Sequence, residues 1–338
     1  MAIKKKEAVE ETPETRPEVN GRRALELALG AIDKDFGAGT VLFGTDSVPG
    51  VEFSSSGCMS IDKALGGGFA RGRIIEIYGP EGSGKTTLAT HAMIEMQKLG
   101  KVVAMIDAEH AFLKSWAEGM GLDPDMFIFS QPKSGEECLE VTKRIVASGQ
   151  VGLAVVDSVA ALVPLKELEG QIGDVQMGAQ ARLMSQAMRM LAGVCQRTNT
   201  TVIFINQMRM KIGVMFGNPE TTAGGNALKF YASQRIDIRR TGGVKNGEEL
   251  VGNSTRIKVV KNKVAMPFKE AEFNIIYGQG IDIWSDLLKM GVELNIVEKS
   301  GAWYNLKDQR LGQGEANAAA FLRENPQLAE QIRSALNG

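Results

Sequence analysis

The stretch Gly79-Pro80-Glu81-Gly82-Ser83-Gly84-Lys85-Thr86 decides the fold, because it fits the pattern G-x-x-x-x-G-K-[ST] at every fixed position. The apolar run Ile74-Ile75-Glu76-Ile77-Tyr78 precedes it, and a helical pattern over residues 88–99 follows it. Glycines at such a junction let backbone N–H groups surround a phosphate, and the helix N-terminus adds a favourable dipole. The stretch therefore predicts a phosphate loop, in which Lys85 reaches the β and γ phosphates and Thr86 ligates Mg²⁺. A glycine-rich turn without a ligand is the alternative.

The rest of the central chain repeats the alternation of strand and helix. Continuous apolar runs at residues 102–106, 126–129, 153–156 and 202–205 are separated by helical patterns. Runs of this kind predict a mostly parallel sheet covered by helices on both faces, with ligands at the carboxyl ends of its strands. Three alternating segments follow at residues 234–240, 256–260 and 270–276, with a turn-rich stretch at 241–246. We expect them to form antiparallel strands that extend the sheet.

The sequence divides into three regions that differ in composition and in hydrophobic pattern. Residues 1–50 combine a charged, flexible start with a helical pattern from Arg22 to Phe36 and a short strand over residues 40–43. Residues 51–282 contain the strands described above. Residues 283–338 carry helical patterns around Gly301-Ala302-Trp303-Tyr304. The sequence therefore predicts an N-terminal helix–strand unit, an α/β core and a small α+β C-terminal domain.

Composition excludes several classes of protein. The formal net charge is −1, from 39 basic and 40 acidic residues, which excludes a uniformly basic nucleic-acid binder but leaves room for a local basic patch. The sequence contains no apolar run of the roughly 18 residues that a membrane helix needs, so no membrane partner is expected. Its three cysteines have no metal-binding or disulfide spacing and favour a reducing, cytoplasmic location.

Three polar residues at predicted strand ends are candidates for hydrolysis. Asp157 follows residues 153–156 and would lie near Mg²⁺, although such an aspartate can also cap a turn. Glu109 follows the strand ending near Asp107 and is the candidate base for an attacking water, provided that the strand continues through it. Gln207 would touch the γ-phosphate, or serve as an ordinary turn amide.

Two loops follow strand ends on the same edge of the predicted sheet. Residues 164–177 contain Gly170, and residues 208–222 mix Arg209 and Lys211 with Met215 and Phe216. Cationic side chains neutralise phosphates, and aromatic ones stack on bases. Composition alone leaves three alternatives open for the second loop: nucleic-acid binding, a mobile lid, or a partner-facing loop.

Several stretches together closely resemble the bacterial RecA recombinase family. They are residues 79–86, 107–111, 155–162, 204–207, 211–222, 224–231 and 259–263. The resemblance covers residues 22–335 nearly throughout, and the long loop after Gln207 makes it specific. It implies a RecA-type P-loop ATPase core, and an ATP-dependent recombinase that forms helical filaments on single-stranded DNA.

The resemblance also implies roles for residues. The catalytic set would be Glu109, Lys85, Gln207, Lys261 and Lys263, with the two last lysines reaching a neighbour's ATP. The nucleotide would contact residues 79–86 with Thr87, Asp157, Trp116 and Tyr277, the last packing against the neighbour's adenine, and Mg²⁺ would contact Thr86 and Asp157. DNA would contact Gly170, Met177, Arg182, Arg209, Lys211, Gly213, Met215, Phe216, Asn218, Gly224 and Gly225. Lys229 and Phe230 would belong to the subunit interface.

The implied cofactors and partners follow from the same resemblance. They are ATP with Mg²⁺, single-stranded DNA, double-stranded DNA gathered by the C-terminal domain, further copies of the chain, and a LexA-type repressor whose self-cleavage the filament stimulates. The sequence departs from the family at Leu113-Lys114, where Asp-Pro is usual, at Trp116, where tyrosine is common, and at Gln234, where an apolar residue is usual. A ring helicase, a small-molecule P-loop kinase and a non-hydrolysing DNA scaffold are the competing hypotheses.

Overall fold

The computed structural model describes residues 20–37, 40–41, 50–171, 178–210 and 219–337. The chain divides into two compact units, Met1–Gly50 and Val51–Gly338. In the first, the helical pattern forms helix α1 (Asn20–Phe36), as predicted. The strand expected over residues 40–43 is not formed at Thr40 and Val41, and residues 42–43 lie outside the described residues.

The second unit is built around one large sheet. Its strands are, in chain order, β1 (Phe53–Ser54), β2 (Phe69–Ala70), β3 (Ile74–Gly79), β4 (Val102–Asp107), β5 (Phe127–Ser130), β6 (Val151–Asp157), β7 (Thr201–Met210), β8 (Glu220–Thr222), β9 (Gln234–Asn246), β10 (Glu249–Asn262), β11 (Glu270–Ile276) and β12 (Gly280–Ile281). Among the described residues β1 and β2 pair with each other, and the other ten form a sheet of order β12-β11-β10-β9-β3-β7-β6-β4-β5, with β8 attached to β7.

Helices cover both faces of this sheet. They are α2 (Met59–Leu65), α3 (Lys85–Lys98), α4 (Lys114–Gly119), α5 (Gly135–Ala147), α6 (Leu165–Glu169), α7 (Ala179–Thr198) and α8 (Ala227–Tyr231). The continuous apolar strands predicted this arrangement, because alternate side chains of a strand enter opposite cores. Val155 and Ile205 pack in the core that contains α3, whereas Val156 and Phe204 pack in the core that contains α5 and α7.

The parallel strands bring four chain segments to one edge. Strands β9, β3, β7, β6, β4 and β5 are parallel to their neighbours in this order. In this register Gly79 lies opposite Gln207, and Asp107 lies opposite Asp157. The candidate residues at the carboxyl ends of these strands therefore lie side by side in neighbouring strands.

The three later segments pair antiparallel with one another as predicted, although the first of them, β9, also pairs in parallel with β3. One prediction about this region is wrong. The turn-rich residues 241–246 belong to β9, because their backbone groups pair with β10 in a long hairpin that contains bulges. Glycines had suggested a loop there, and cross-strand hydrogen bonding overrides that local preference.

The last elements form a small α+β layer with its own core. They are α9 (Ile283–Glu293), β13 (Glu298–Ser300), β14 (Trp303–Leu306), β15 (Gln309–Gln313), α10 (Glu315–Glu324) and α11 (Pro326–Asn337). Their buried side chains, including Leu288, Leu306, Leu322 and Ile332, pack together. None of the helices in the described residues is long and apolar enough to span a membrane.

A buried histidine attaches α3 to β12. The Nε2 atom of His91 accepts a hydrogen bond from the backbone N–H of Ile281 at 2.8 Å. Burial, with a smaller contribution from the positive charge of Lys98, lowers the pKa of His91 to about 4. The folded protein therefore holds this ring in its neutral form.

We expect His91→Gln to remove part of the acid sensitivity of the fold. The unfolded chain binds a proton at His91 near pH 6.5, and the folded chain binds it only near pH 4. The contribution of the neutral ring is therefore complete above pH 6.5 and is lost as the pH falls toward 4, by on the order of 1–3 kcal/mol. Denaturant unfolding at several pH values measures this. His110→Gln is the control, because His110 is exposed. If the free energy of unfolding fell equally with decreasing pH in the wild type and in His91→Gln, His91 would not be the source of the acid sensitivity.

Candidate functional site

The loop after β3 has the geometry of a phosphate cradle. Gly82 has φ +66°, and a Cβ added there would meet no atom within 4 Å, so the loop has open space on that side. Gly79 is required for a different reason, since a Cβ there would lie 2.1 Å from the carbonyl oxygen of Ile238 on β9. Helix α3 begins immediately afterwards at Lys85. Its free N–H groups therefore point toward the loop.

Three polar side chains, those of Lys85, Thr86 and Asp157, lie next to this loop. The Nζ atom of Lys85 donates to the carbonyl oxygens of Pro80 at 2.7 Å and Gly79 at 3.3 Å, and burial lowers its pKa. The hydroxyl of Thr86 donates to Oδ2 of Asp157 at 2.7 Å. Burial raises the pKa of Asp157 to about 6, although the hydrogen bond from Thr86 opposes this rise.

Thr86 and Asp157 fit the magnesium site that the sequence predicted. Their oxygens are adjacent, and Mg²⁺ prefers hard oxygen ligands, usually one or two from the protein with phosphates and water. The described residues contain no cluster of three or more histidine, cysteine, aspartate or glutamate side chains. A Mg²⁺ ion held by Thr86 and Asp157 would take its remaining ligands from nucleotide phosphates and water.

Glu109 and Gln207 are in direct contact. The Nε2 atom of Gln207 donates to Oε1 of Glu109 at 2.6 Å, and the hydroxyl of Ser158 donates to the same oxygen. Sequence reasoning missed Ser158, although its position directly after Asp157, at the end of β6, was a usable signal. The carboxylate is exposed and is oriented by two donors, Gln207 within β7 and Ser158 directly after β6.

The strand that leads to Glu109 does not continue through it, so this condition on the sequence prediction is not met. Strand β4 ends at Asp107, so the two side chains do not share a strand face. Asp107 is buried and instead accepts hydrogen bonds from the backbone of Ala111 and Phe112 and from the side chain of Gln131. It stabilises the turn that presents Glu109.

An aromatic cavity lies beside the phosphate loop. Its volume is about 320 Å³, and its lining includes Thr87, Trp116, Asn253 and Tyr277 together with the loop glycines. Tyr277 was expected at the neighbour's adenine, but it lines the same cavity as the phosphate loop of its own chain. Its hydroxyl donates to Oδ1 of Asn253 at 3.0 Å. Two aromatic rings therefore stand where a nucleobase could stack.

Two residues at which the sequence departs from the family pattern, Lys114 and Gln234, have local partners in the structure. Leu113 is 68% exposed, and the ammonium of Lys114 lies 4.7 Å from the ring centroid of Phe129. Gln234 is fully buried and bonds to the backbone of the segment around β2, accepting from the N–H of Ala70 and donating to the carbonyl of Gly68. A buried glutamine is tolerated there because both ends of its amide are paired.

The second predicted loop begins later than expected. Met208, Arg209 and Met210 continue β7 and pair with β8, so the loop is mounted on an antiparallel hairpin. Arg209 lies on this hairpin, and the other predicted DNA contacts after it, Lys211, Gly213, Met215, Phe216 and Asn218, lie outside the described residues, as does Met177 of the first loop.

The remaining predicted DNA contacts lie near the start of α7 or the end of α6. Gly170 follows α6, and exposed Arg182 lies in the first turn of α7. An added Cβ would lie 2.7 Å from Val159 at Gly224 and 2.8 Å from Ala181 at Gly225. Glycine is therefore required where the chain leaving β8 crosses the beginning of α7.

Lys261 and Lys263 lie away from the phosphate loop of their own chain. Lys261 pairs with Arg235 on β9, which pairs with Glu76 on β3, roughly 10 Å along the strand before Gly79. Both lysines donate to the carbonyl of Phe230, and Lys261 also donates to that of Lys229. The Phe230 ring beside them is 71% exposed.

Lys261 lies close to two other cationic side chains. Burial and the nearby charges of Lys263 and Arg235 lower the pKa of Lys261 to about 8. Lys229 reaches in another direction, donating to the hydroxyl of Thr221 on β8 at 2.8 Å. The patch formed by Phe230, Lys261 and Lys263 therefore combines an exposed aromatic ring with cations, opposite to the phosphate-loop edge of the sheet.

Comparison with known proteins decides the family. The model of the RecA N-terminal domain matches residues 23–282, and the model of the RecA C-terminal domain matches residues 285–337. The chain belongs to the RecA family. It is 57% identical over 318 residues to Protein RecA of Rhodospirillum rubrum, covering 93% of this chain and 87% of that protein. It is 56% identical over 320 residues to Protein RecA of Cereibacter sphaeroides, covering 94% and 90%.

A solved structure shows the same fold in a more distant recombinase. The chain resembles the crystal structure of the RadB recombinase with a TM-score of 0.52 and 26% identity, covering 68% of this chain and 98% of that one. The family, the relatives and the fold together make this RecA-family chain a recombinase and a DNA-dependent ATPase.

Alanine at two glycines of the phosphate loop should have different effects. Gly79→Ala places a methyl group against the fixed carbonyl of Ile238, so it should lower the free energy of unfolding by about 3 kcal/mol. Gly82→Ala has space and suffers only the positive φ, costing about 1 kcal/mol. Denaturant unfolding of both variants measures the difference. If both variants lost the same free energy of unfolding, the space between Gly79 and the carbonyl oxygen of Ile238 would be larger than the structure shows.

Proposed function

We propose that this recombinase forms helical filaments on single-stranded DNA, binds ATP and Mg²⁺ between subunits, and pairs homologous strands during DNA repair. The observation that supports this most directly is the hydrogen bond from Gln207 to Glu109. Glu109 lies at the nucleotide edge, and Gln207 lies on the strand that continues into the predicted DNA loop. One contact therefore joins the hydrolysis site to the DNA-binding segment.

In this proposal the phosphate loop binds the triphosphate and Glu109 promotes its hydrolysis. Lys85 exchanges its bonds to Pro80 and Gly79 for bonds to the β and γ phosphates. Thr86 and Asp157 hold Mg²⁺, which supplies electrostatic stabilisation of the phosphate charge when bound. Glu109 accepts the proton of the attacking water, and Ser158 orients its carboxylate.

Gln207 reports the state of the nucleotide. A γ-phosphate offers its amide an acceptor with more negative charge than Glu109, so the amide moves to the phosphate and releases the carboxylate for water. Because Gln207 is followed directly by the hairpin residues Met208–Met210, the move changes the position of the loop. Release of phosphate returns the amide to Glu109.

The neighbouring subunit completes the site. Lys261 and Lys263 are remote from their own phosphate loop, and the exposed Phe230 beside them suits a head-to-tail contact. A contact between two different surfaces of identical chains generates an open helix when the rotation does not close. The two lysines would then neutralise charge on the neighbour's ATP.

The remaining assignments are part of the same proposal. Residues 1–50 contribute an assembly helix, residues 51–282 the ATPase core with Gly170, Arg182, Arg209, Gly224 and Gly225 near DNA, and residues 283–338 a domain that gathers double-stranded DNA. Self-cleavage of a LexA-type repressor on the filament is a secondary activity. The buried free thiols Cys58, Cys138 and Cys195 suit a reducing, cytoplasmic location.

One experiment tests the proposal as a whole. ATP hydrolysis is measured with and without single-stranded DNA, and the same samples are viewed by electron microscopy with a nonhydrolysable analogue. We expect DNA to stimulate turnover and helical filaments to cover the DNA. Closed hexamers that unwind duplexes would favour a ring helicase, and phosphate transfer to an acceptor would favour a kinase. Either result would overturn the proposal.

Glu109→Gln should separate binding from hydrolysis. Glutamine keeps an oxygen that can accept from Gln207 and Ser158, but it cannot take a proton from water. We expect turnover on DNA to fall by roughly 10²–10⁴-fold while ATP affinity stays within about threefold. Glu118→Gln on α4 is the matched control, since Glu118 is also exposed. Turnover that falls less than tenfold would exclude Glu109 as the base.

A mixture of two inactive variants should recover activity if the lysines act on a neighbour. One variant carries Lys85→Ala, and the other carries Lys261→Ala with Lys263→Ala. In an equal mixture, about a quarter of the head-to-tail interfaces combine an intact phosphate loop with intact lysines. We expect turnover on DNA to recover to roughly that fraction of wild type, measured by phosphate release. A mixture as inactive as its components would place the lysines outside the site.

A further inference from the structure

One carboxylate in the central sheet is completely buried. Glu76 on β3 has no exposed surface, and each of its side-chain oxygens bonds to a neighbouring strand. Oε2 accepts from Nε of Arg235 on β9 at 2.5 Å, and Oε1 accepts from the side-chain amide of Asn206 on β7 at 2.9 Å. A pair of neutral amides at positions 76 and 235 could connect the same strands and would cost less to bury than two charges. Holding the strands together therefore does not require the charges.

Asn206 connects Glu76 to the residue that contacts Glu109. Its Oδ1 atom accepts from the backbone N–H of Gln207 at 2.9 Å, and its Nδ2 atom also donates to the carbonyl of Ala223 at 3.1 Å. Asn206 is fully buried, so solvent cannot take the place of Glu76. The position of Gln207, whose own amide donates to Glu109, therefore depends on the position of the buried carboxylate.

Arg235 connects Glu76 to a lysine at the opposite edge of the sheet. Arg235 is paired with Glu76 on β3 and with Lys261 on β10, and paired residues on adjacent strands project on the same face. Burial and the charges of Lys263 and Arg235 lower the pKa of Lys261, whereas the charge of Glu76 opposes this fall. Only 16% of the Arg235 side chain is exposed, so solvent screens these charges weakly. The position of the Lys261 ammonium therefore affects the ion pair between Arg235 and Glu76.

We propose that Glu76 is a positioning residue that couples successive ATP sites along the filament, because it links Lys261 to Gln207 within each subunit. This rests on the proposed function, in which Lys261 contacts a neighbour's ATP and Gln207 senses the ATP of its own subunit. Each end of the link then has two arrangements. Lys261 bonds either to backbone carbonyls of its own subunit or to the neighbour's phosphates, and Gln207 bonds either to Glu109 or to the γ-phosphate.

The charges give the coupling a direction. When the neighbour binds ATP, the Lys261 ammonium moves toward the phosphates, and Arg235 loses a repelling charge. Arg235 then holds Glu76 more strongly, which weakens the bond from Asn206 to the same carboxylate. Gln207 is held less firmly in its resting position and turns more easily to a γ-phosphate. ATP at one site therefore favours ATP binding at the next.

Cooperativity of nucleotide binding tests this link. The chain is first bound to a labelled single-stranded oligonucleotide at a protein concentration that saturates the DNA without nucleotide, as measured by fluorescence anisotropy. Assembly on DNA then does not depend on the titration that follows, in which a fluorescent nonhydrolysable ATP analogue is added. We expect a Hill coefficient above 1 for the wild type and about 1 for the double variant Glu76→Gln with Arg235→Gln.

The double variant separates a role of the charges from a role in holding the strands. The amide introduced at position 76 can accept from Asn206 and donate to the amide introduced at position 235, so the strands stay connected without charge. Glu76→Gln alone leaves Arg235 without its counter-ion and should lower the melting temperature. The double variant should recover the melting temperature but not the cooperativity. Recovery of both would show that Glu76 only holds the strands, and would overturn the proposal.

A second ion pair of the same length provides the control. Nη1 of Arg71 lies 2.5 Å from Oε2 of Glu52, next to β2 and outside this network. Glu52→Gln with Arg71→Gln should keep the wild-type Hill coefficient, and a coefficient of 1 in this control would overturn the proposal. If the double variant at Glu76 unfolds at the temperature of the titration, Asn206→Ala replaces it, because this change leaves both charges paired and removes the donor to Glu76. A wild-type coefficient in Asn206→Ala would contradict the link equally.

Failure of the proposed function gives a different result. A wild-type chain that forms no filaments on DNA would remove the contact on which the link rests, and so would an inactive mixture of the Lys85→Ala variant with the variant that lacks both interface lysines. If that mixture recovers activity but the wild type binds the analogue with a Hill coefficient of 1, the link alone fails.

Discussion

The parallel pairing of β3 with β7 places Gly79 directly opposite Gln207. Beyond this pair of residues β3 ends and the phosphate loop begins, whereas β7 continues and pairs with β8 in a hairpin. A nucleotide site and a loop base are thereby fixed one strand apart, about 4.8 Å. A single hydrogen bond, such as the one from Gln207 to Glu109, is enough to connect the two sites over this distance, because the sheet fixes the positions of the two strands relative to each other. The site therefore depends on strand register before it depends on any individual side chain.

Buried polar contacts hold this register in place. Glu76 is fully buried on β3, where it pairs with Arg235 on β9 at 2.5 Å and accepts from the amide of Asn206 on β7 at 2.9 Å. Asn206 also donates to the carbonyl of Ala223, which follows the hairpin. Apolar packing alone would tolerate a slipped strand, whereas a one-residue slip would leave a buried carboxylate unpaired, at a cost of several kcal/mol. In this protein the network penalises a slip of β3 relative to β7 or to β9.

The two edges of the same sheet have complementary properties. The carboxyl edge presents Lys85, Thr86 and Glu109 around open space, and the opposite edge presents Lys261 and Lys263 beside an exposed phenylalanine. Two different surfaces at opposite edges suit head-to-tail association, in which each copy contacts one neighbour through its carboxyl edge and another through its opposite edge. In the proposed filament, this arrangement would make ATP binding and assembly interdependent, because each ATP would contact both edges. The antiparallel extension β10–β12 is what carries the lysines to the far edge.

The sequence alone determined the phosphate loop, the alternation of strands and helices, and the residues at the strand ends, because these depend on local periodicity and on a motif whose spacing is set by backbone geometry. It could not determine that β7 continues to Met210, that residues 241–246 form a strand, or that Ser158 donates to Glu109. Those features depend on hydrogen bonds between residues far apart in the chain. Local preference is neutral or misleading there, and only the tertiary structure decides which partners are within reach.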